Sequence, residues 1–234
     1  MSEQGPIERE IEGGGAFYGR RKGKKLRPGQ ADLVDTLLPR LRIDLQEKLT
    51  PDALFPIPVT KLWLEIGFGG GEHLLRQAEA HPDIGFIGCE PFVNGMAKML
   101  SAIDRDSIRN IRLYDADALD VLKHLPDASI DRLYLLYPDP WPKRRQNKRR
   151  FVSDETIALF AHVLKPGGEF RFASDIDHYV GWTLERAMRS PFLQWTAKGP
   201  DDWRKPWPGW QSTRYELKAQ REGRKSAYLT FVRT

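Results

Sequence analysis

This sequence predicts an α/β fold with a doubly wound, mostly parallel sheet and helices on both faces, on three observations. Short apolar runs alternate with segments of helical spacing, the first run ends in a glycine cluster, and three successive runs end at or near an acid. Parallel strands are buried on both faces and need helical crossovers, so this alternation selects that architecture. The 234 residues suffice for one sizeable core, with some chain left for arms or loops.

Residues 1–30 carry glycine, charge and few large apolar side chains, and "RRKGKKLRP" (20–28) reads as a basic, flexible arm. Residues 31–58 are expected to pack on the core as an N-terminal helix and linker. Leu33, Leu37, Leu38, Leu41 and Leu45 recur at three- and four-residue spacing over a predicted helix at 32–49, and the proline-rich "TPDALFPIPVT" follows. The main domain is assigned to 59–234. Its predicted strands are 61–66, 84–90, 110–115, 130–137 and 168–174, with two more near 192–197 and 226–232 making seven. Helices are predicted at 71–80, 93–105, 118–124 and 154–164.

With 40% hydrophobic and 29% charged residues, the composition is that of a soluble globular protein. The longest apolar run, around 133–137, is far too short to span a bilayer, and no signal-peptide core opens the chain. The lone Cys89 excludes an internal disulfide and suits a reducing cytoplasm. A net charge of +5, concentrated in two cationic runs, points to a polyanionic partner. The five histidines (73, 81, 124, 162, 178) have neither metal-ligand nor catalytic spacing, so no metal is expected.

"EIGFGGG" follows the first strand and opens a helix, where glycines let backbone approach a ligand. A dinucleotide fingerprint counted from Gly67 and Gly69 would need glycine where Glu72 stands. The pattern is instead E-x-G-x-G-x-G: Glu65, Gly67, Gly69, Gly71. Glu90 ends the second strand, where a carboxylate can accept both hydroxyls of a ribose, and Asp117 follows the third. Singly, such acids are helix caps as often as ligands; on successive strand ends they point to a nucleotide site. The glycine spacing resembles motif I of class I S-adenosylmethionine (SAM) methyltransferases. That resemblance implies a Rossmann-like class I methyltransferase, with Asp117 near the adenine amino group.

"YPDPWPKRRQNKRR" sets one carboxylate, Asp139, between prolines and follows it with six cations. The prolines fix φ and hold the carboxylate in one orientation. "DPW" resembles the D/N-P-P-aromatic corner of nitrogen-methylating enzymes. The whole stretch closely matches the signature of the tRNA (guanine-N7-)-methyltransferase family. With "LEIGFGGG", "GCEPF", the "SD" at 174–175 and "TRYE" at 213–216, the resemblance covers about 60–234. It implies methyl transfer from SAM to N7 of a variable-loop guanine at position 46 of tRNA, leaving S-adenosylhomocysteine. It implies donor binding by Glu65, Gly67, Gly69, Gly71, Glu90, Asp117 and Asp139. Substrate binding is implied for Lys143, Asp175, Thr213, Arg214, Tyr215 and Glu216. Two positions depart from the family pattern: Gln146 replaces a histidine, and "LKAQ" follows "YE" in place of arginine-glycine.

The chemistry agrees with these residue types. Guanine N7 has a free lone pair, so no base must remove a proton, and positive charge ends on the purine ring. Asp139 is expected to stabilise that charge and Asp175 to contact the base. Arg145, Gln146, Asn147, Lys148, Arg149 and Arg150 are expected along the RNA backbone, where phosphate contacts position without specifying. "TRYE" also has the spacing of a capping box, and Trp203, Trp207 and Trp210 are expected mostly to pack on the sheet. The competing readings are a methyltransferase for another RNA or a small molecule, and an RNA-binding protein without catalysis. The first has little use for "KRRQNKRR", and the second none for Glu65, Glu90 and Asp117 together. A monomer or homodimer without an obligate protein partner is expected.

Overall fold

The computed structural model describes residue 19 and residues 21–234; the arm expected at 1–30 lies mostly outside them. The first helical elements among the described residues are α1 (Pro28–Thr36) and the single turns α2 (Leu38–Leu41) and α3 (Pro51–Leu54). The leucine spacing over 32–49 therefore does not make one helix. Pro39 has no N–H to continue the ladder. After Arg42 the chain runs beside the sheet edge, Ile43 donating to the Leu113 carbonyl at 2.9 Å.

Strands and helices then alternate: β1 (Lys61–Ile66), α4 (Glu72–Ala80), β2 (Ile84–Cys89), α5 (Val93–Asp106), β3 (Ile111–Tyr114), α6 (Ala118–His124) and β4 (Ile130–Leu136). A 3₁₀ helix (Arg144–Arg149) precedes α7 (Asp154–Val163), β5 (Leu164–Ser174), α8 (Asp177–Arg189) and β6 (Leu193–Trp195). The chain finishes with α9 (Asp201–Arg204), α10 (Arg214–Arg221) and β7 (Ala227–Arg233). The seven strands are ordered β3-β2-β1-β4-β5-β7-β6; β1 to β5 are parallel and β7 runs antiparallel between β5 and β6. The order reverses between β1 and β4, and open α/β sheets bind ligands at the carboxyl ends of strands at such a switch.

Strand pleating divides the core in two. Leu62, Leu64 and Ile66 pack with residues of α6, α7 and α8, while Trp63 packs with α4 and α5. Tyr134 and Leu136 join the Trp63 side, whereas Leu133 and Leu135 join the other. Glu65 shares the parity of Trp63, so its side chain turns towards α4. Among the described residues, no helix is long and apolar enough to cross a membrane, and no group of acids, histidines or cysteine could hold a metal.

Candidate active site

A cleft of about 600 Å³ opens at the carboxyl ends of β1, β2, β3 and β4 and is lined by, among others, Gly67, Gly69, Glu90, Asp117 and Asp139. Its size is ordinary for a small-molecule site. Apolar walls come from Ile66, Phe92, Leu119 and Leu135. Among the described residues, no histidine lines it.

The glycine loop has two conformational requirements. Gly67 (φ 70°), Gly69 (φ 59°) and Gly71 (φ 82°) are left-handed, and Gly71 caps α4 without lining the cleft. Helix α5 also approaches closely: a Cβ on Gly95 would stand 2.1 Å from the Gly69 carbonyl oxygen. Glu90, 8% exposed, accepts from the N–H of Gly69 at 2.6 Å and of Phe92 at 2.9 Å. Burial pushes its pKa up, the two amides oppose that, and Asp139 adds to the rise. Asp117 caps α6, accepting from Leu119 N–H at 3.0 Å, and burial raises its pKa too. Cap and cleft wall are here the same carboxylate.

Glu65 does not line the cleft. Buried on the α4 side, it is hydrogen-bonded to His73 Nδ1 at 2.6 Å, and the His73 ring lies 5.2 Å from that of Trp210. Trp210 Nε1 donates to Glu216 at 2.7 Å, and Tyr228 Oη donates to the other Glu216 oxygen. A chain of contacts through buried Glu65, His73 and Glu216 and half-buried Trp210 thus joins the first strand to α10.

The proline corner leaves β4 one residue earlier than expected. Tyr137 (φ 48°) and Trp141 (φ 41°) are both left-handed, on either side of Pro138-Asp139-Pro140. Such bulky residues cost of order 1–3 kcal/mol each and persist where neighbours hold them. Tyr137 is held by its N–H on the Ala173 carbonyl at 2.7 Å and its hydroxyl on Ser226 Oγ at 2.9 Å. Asp139 is exposed at the cleft, yet the surrounding walls remove enough water to push its pKa up.

The cationic run forms the 3₁₀ helix on the rim. Lys143, Arg145 and Lys148 are exposed, and Gln146 and Asn147 are half-buried. Lys148, Arg149 and Arg150 line the cleft, whereas Lys143, Arg145, Gln146 and Asn147 do not. Arg149 places its guanidinium 5.0 Å from the Trp141 ring. Arg150 does not match the expected phosphate contact, because it is only 4% exposed.

Thr213 caps α10, its Oγ1 accepting from Glu216 N–H at 3.3 Å. The reciprocal half of a capping box is missing, since the Glu216 carboxylate serves Trp210 and Tyr228. Tyr215 lines the cleft and approaches Gly69, while Arg214 Nε lies 3.7 Å from Glu72. Asp175 accepts from Arg224 Nε at 2.6 Å and lies outside the lining. Trp203, Trp207 and Trp210 pack against the core, as expected.

From the arm, Gly19 lines the cleft, Gly23 N–H donates to Asn94 Oδ1 at 2.8 Å, and Val93 N–H donates to the Arg21 carbonyl at 3.0 Å. Sequence reasoning missed Gly95, Tyr137, Trp141 and the His73–Trp210 contact. A glycine inside a helical pattern was a signal for Gly95. The φ values of two bulky residues left no trace in the sequence.

A family model described as "Putative methyltransferase" matches residues 59–229. A tRNA (guanine-N(7)-)-methyltransferase of Agrobacterium fabrum is 58% identical over 221 residues, covering 93% of this chain and 95% of its own. One of Chelativorans sp. is 54% identical over 235 residues, covering 100% of both chains. The solved 16S rRNA methyltransferase KamB superposes with a TM-score of 0.52 at 16% identity, over 75% of this chain and 89% of that one. The aminoglycoside resistance methyltransferase NpmB1 gives 0.51 at 17% identity, over 75% and 88%. At such identities the likeness is one of fold: the Rossmann-like sheet of class I methyltransferases.

Proposed function

The chain belongs to the tRNA (guanine-N7-)-methyltransferase family, and on that premise we propose that it methylates N7 of a tRNA guanine, at position 46 of the variable loop, with SAM as donor. One observation carries the reading. The acids Glu90, Asp117 and Asp139 and the cations Lys148 and Arg149 line a single cleft beside the glycine loop.

The residues present fit the donor. Glu90 is fixed by two amides and buried, suiting a carboxylate that accepts from ribose hydroxyls. Asp117 stands one strand further along, for an adenine amino group. When bound, SAM supplies an electrophilic methyl on a cationic sulfur. The guanine needs no deprotonation, so the chain's task is placement of N7 in line with that methyl and stabilisation of charge. Asp139 serves the second purpose, and Tyr215 closes the cleft over Gly69. Lys148 and Arg149 hold RNA phosphates on the rim.

Incubation with labelled SAM and unmodified tRNA, followed by mass spectrometry of the nucleosides, should yield 7-methylguanosine as the new species. Replacing guanine 46 should abolish it. Label on another base, or none on tRNA, rejects the proposal.

The raised pKa values of Glu90 and Asp117 give a pH dependence whose sign is fixed. Protonation removes the acceptors, so SAM affinity should fall on acidification with a midpoint above the ordinary carboxylate value of about 4. The same protons bind the folded state more tightly than the unfolded chain. Their contribution to stability therefore grows as pH falls through that window, opposite to affinity. Calorimetric SAM titrations across pH check this; affinity that stays flat down to about pH 4 contradicts it.

A further inference from the structure

Within 143–150, Arg150 is the cation that the fold encloses. Its Nε donates to the Pro140 carbonyl at 2.9 Å, and its guanidinium lies 4.8 Å from the Tyr179 ring and 5.0 Å from the Trp182 ring. Its two terminal nitrogens are buried and meet no hydrogen-bond acceptor among the described residues. The faces of the two rings take that place, which suits a planar, weakly hydrated guanidinium. Helix α8 grips the following residues as well. Val152 N–H donates to Tyr179 Oη at 3.3 Å, and Trp182 Nε1 donates to the Val152 carbonyl at 2.7 Å.

The carbonyl that Arg150 holds belongs to the residue after Asp139, inside the segment bounded by left-handed Tyr137 and Trp141. Ala173 and Ser226 secure the side before Asp139. Arg150 secures the side after it. Resting on the reaction proposed above, we infer that Arg150 is a positioning residue: it ties the Pro140 carbonyl to α8, thereby fixing Asp139 at the reacting centre, and makes no contact with RNA phosphate.

The test compares Arg150→Met, Arg150→Lys and Lys148→Met in the full chain. Its readouts are steady-state transfer to tRNA, the salt dependence of tRNA affinity and amide exchange over residues 137–142. Lys148→Met should flatten the salt slope by about 0.7–0.9, the loss of one phosphate contact. Arg150→Met should keep the wild-type slope and the KM for tRNA, lower kcat about tenfold to a hundredfold, and speed exchange. Arg150→Lys keeps the charge without the planar fork and should rescue little.

A slope reduced in Arg150→Met, or a wild-type kcat, overturns the inference. If Arg150→Met does not fold, Trp182→Leu removes one ring face and leaves Arg150 in place. It should lower kcat at an unchanged slope, and wild-type turnover there overturns the inference equally. A wild-type protein inactive on tRNA would instead reject the proposed reaction. Exchange over 137–142 would still decide the brace: faster in Arg150→Met supports it, unchanged rejects it.

Discussion

Asp139→Asn is expected to lower kcat by about 10²–10³-fold, with a much smaller change in SAM affinity. Asparagine keeps the shape and the proline-fixed backbone and removes only the charge. That charge matters late in the reaction, when positive character reaches the purine ring. At an effective dielectric of about 20, a unit charge pair 4 Å apart is worth about 4 kcal/mol. The predicted loss corresponds to about 2.7–4 kcal/mol, so a single carboxylate can account for it. Glu90 and Asp117 line the same cleft and are left in place, which is why donor binding is largely spared. Single-turnover transfer with saturating tRNA and donor measures the effect. Near-normal turnover would falsify the role given to Asp139.

Gly95→Ala is expected to weaken SAM binding by about ten- to a hundredfold. Two effects oppose each other here. Alanine in a helix interior is favoured over glycine by about 0.5–1 kcal/mol. Against that, the new methyl would stand 2.1 Å from the Gly69 carbonyl oxygen, a backbone atom of the donor loop. Overpacking of this kind costs about 1–3 kcal/mol, and the atom that must move is the one whose loop Glu90 holds. The clash wins, and it is felt at the ligand. Gly181→Ala in α8 is the matched control, since its Cβ meets nothing within 4 Å. It should raise Tm slightly and leave SAM affinity alone. Calorimetric titration of both variants is the measurement, and wild-type affinity in Gly95→Ala contradicts the account.

The centre of the sheet was legible because both faces of β1, β2 and most of β4 are buried, leaving apolar runs bounded by turns. Helix α6 matches its predicted range of 118–124, and α4, α5 and α7 differ from theirs by one residue at an end. The region before β1 was not legible in detail. Leucine spacing survives Pro39 unchanged, whereas the hydrogen-bond ladder does not. Strand parity set Glu65 apart from the cleft: it follows Trp63 to the α4 side, where His73 lies within hydrogen-bond distance. Nothing in the spacing of "TRYE" announces that Glu216 serves an indole and a phenol from residues six and twelve positions away. Arg150 and its neighbours Lys148 and Arg149 read identically as sequence. Only the approach of α8, through Tyr179 and Trp182, separates the enclosed one from the others.

The cleft sets the carboxylates of Glu90, Asp117 and Asp139 beside the exposed Lys148 on its lip, and on the proposed reaction this arrangement is expected to act as a polarity filter. A polynucleotide is drawn to the lip by its phosphates, but those same phosphates are repelled by the carboxylates further in. Only an uncharged heterocycle swung out of its stack can travel the remaining distance. Depth of entry is then expected to be limited to one base, with the strand arriving ring first.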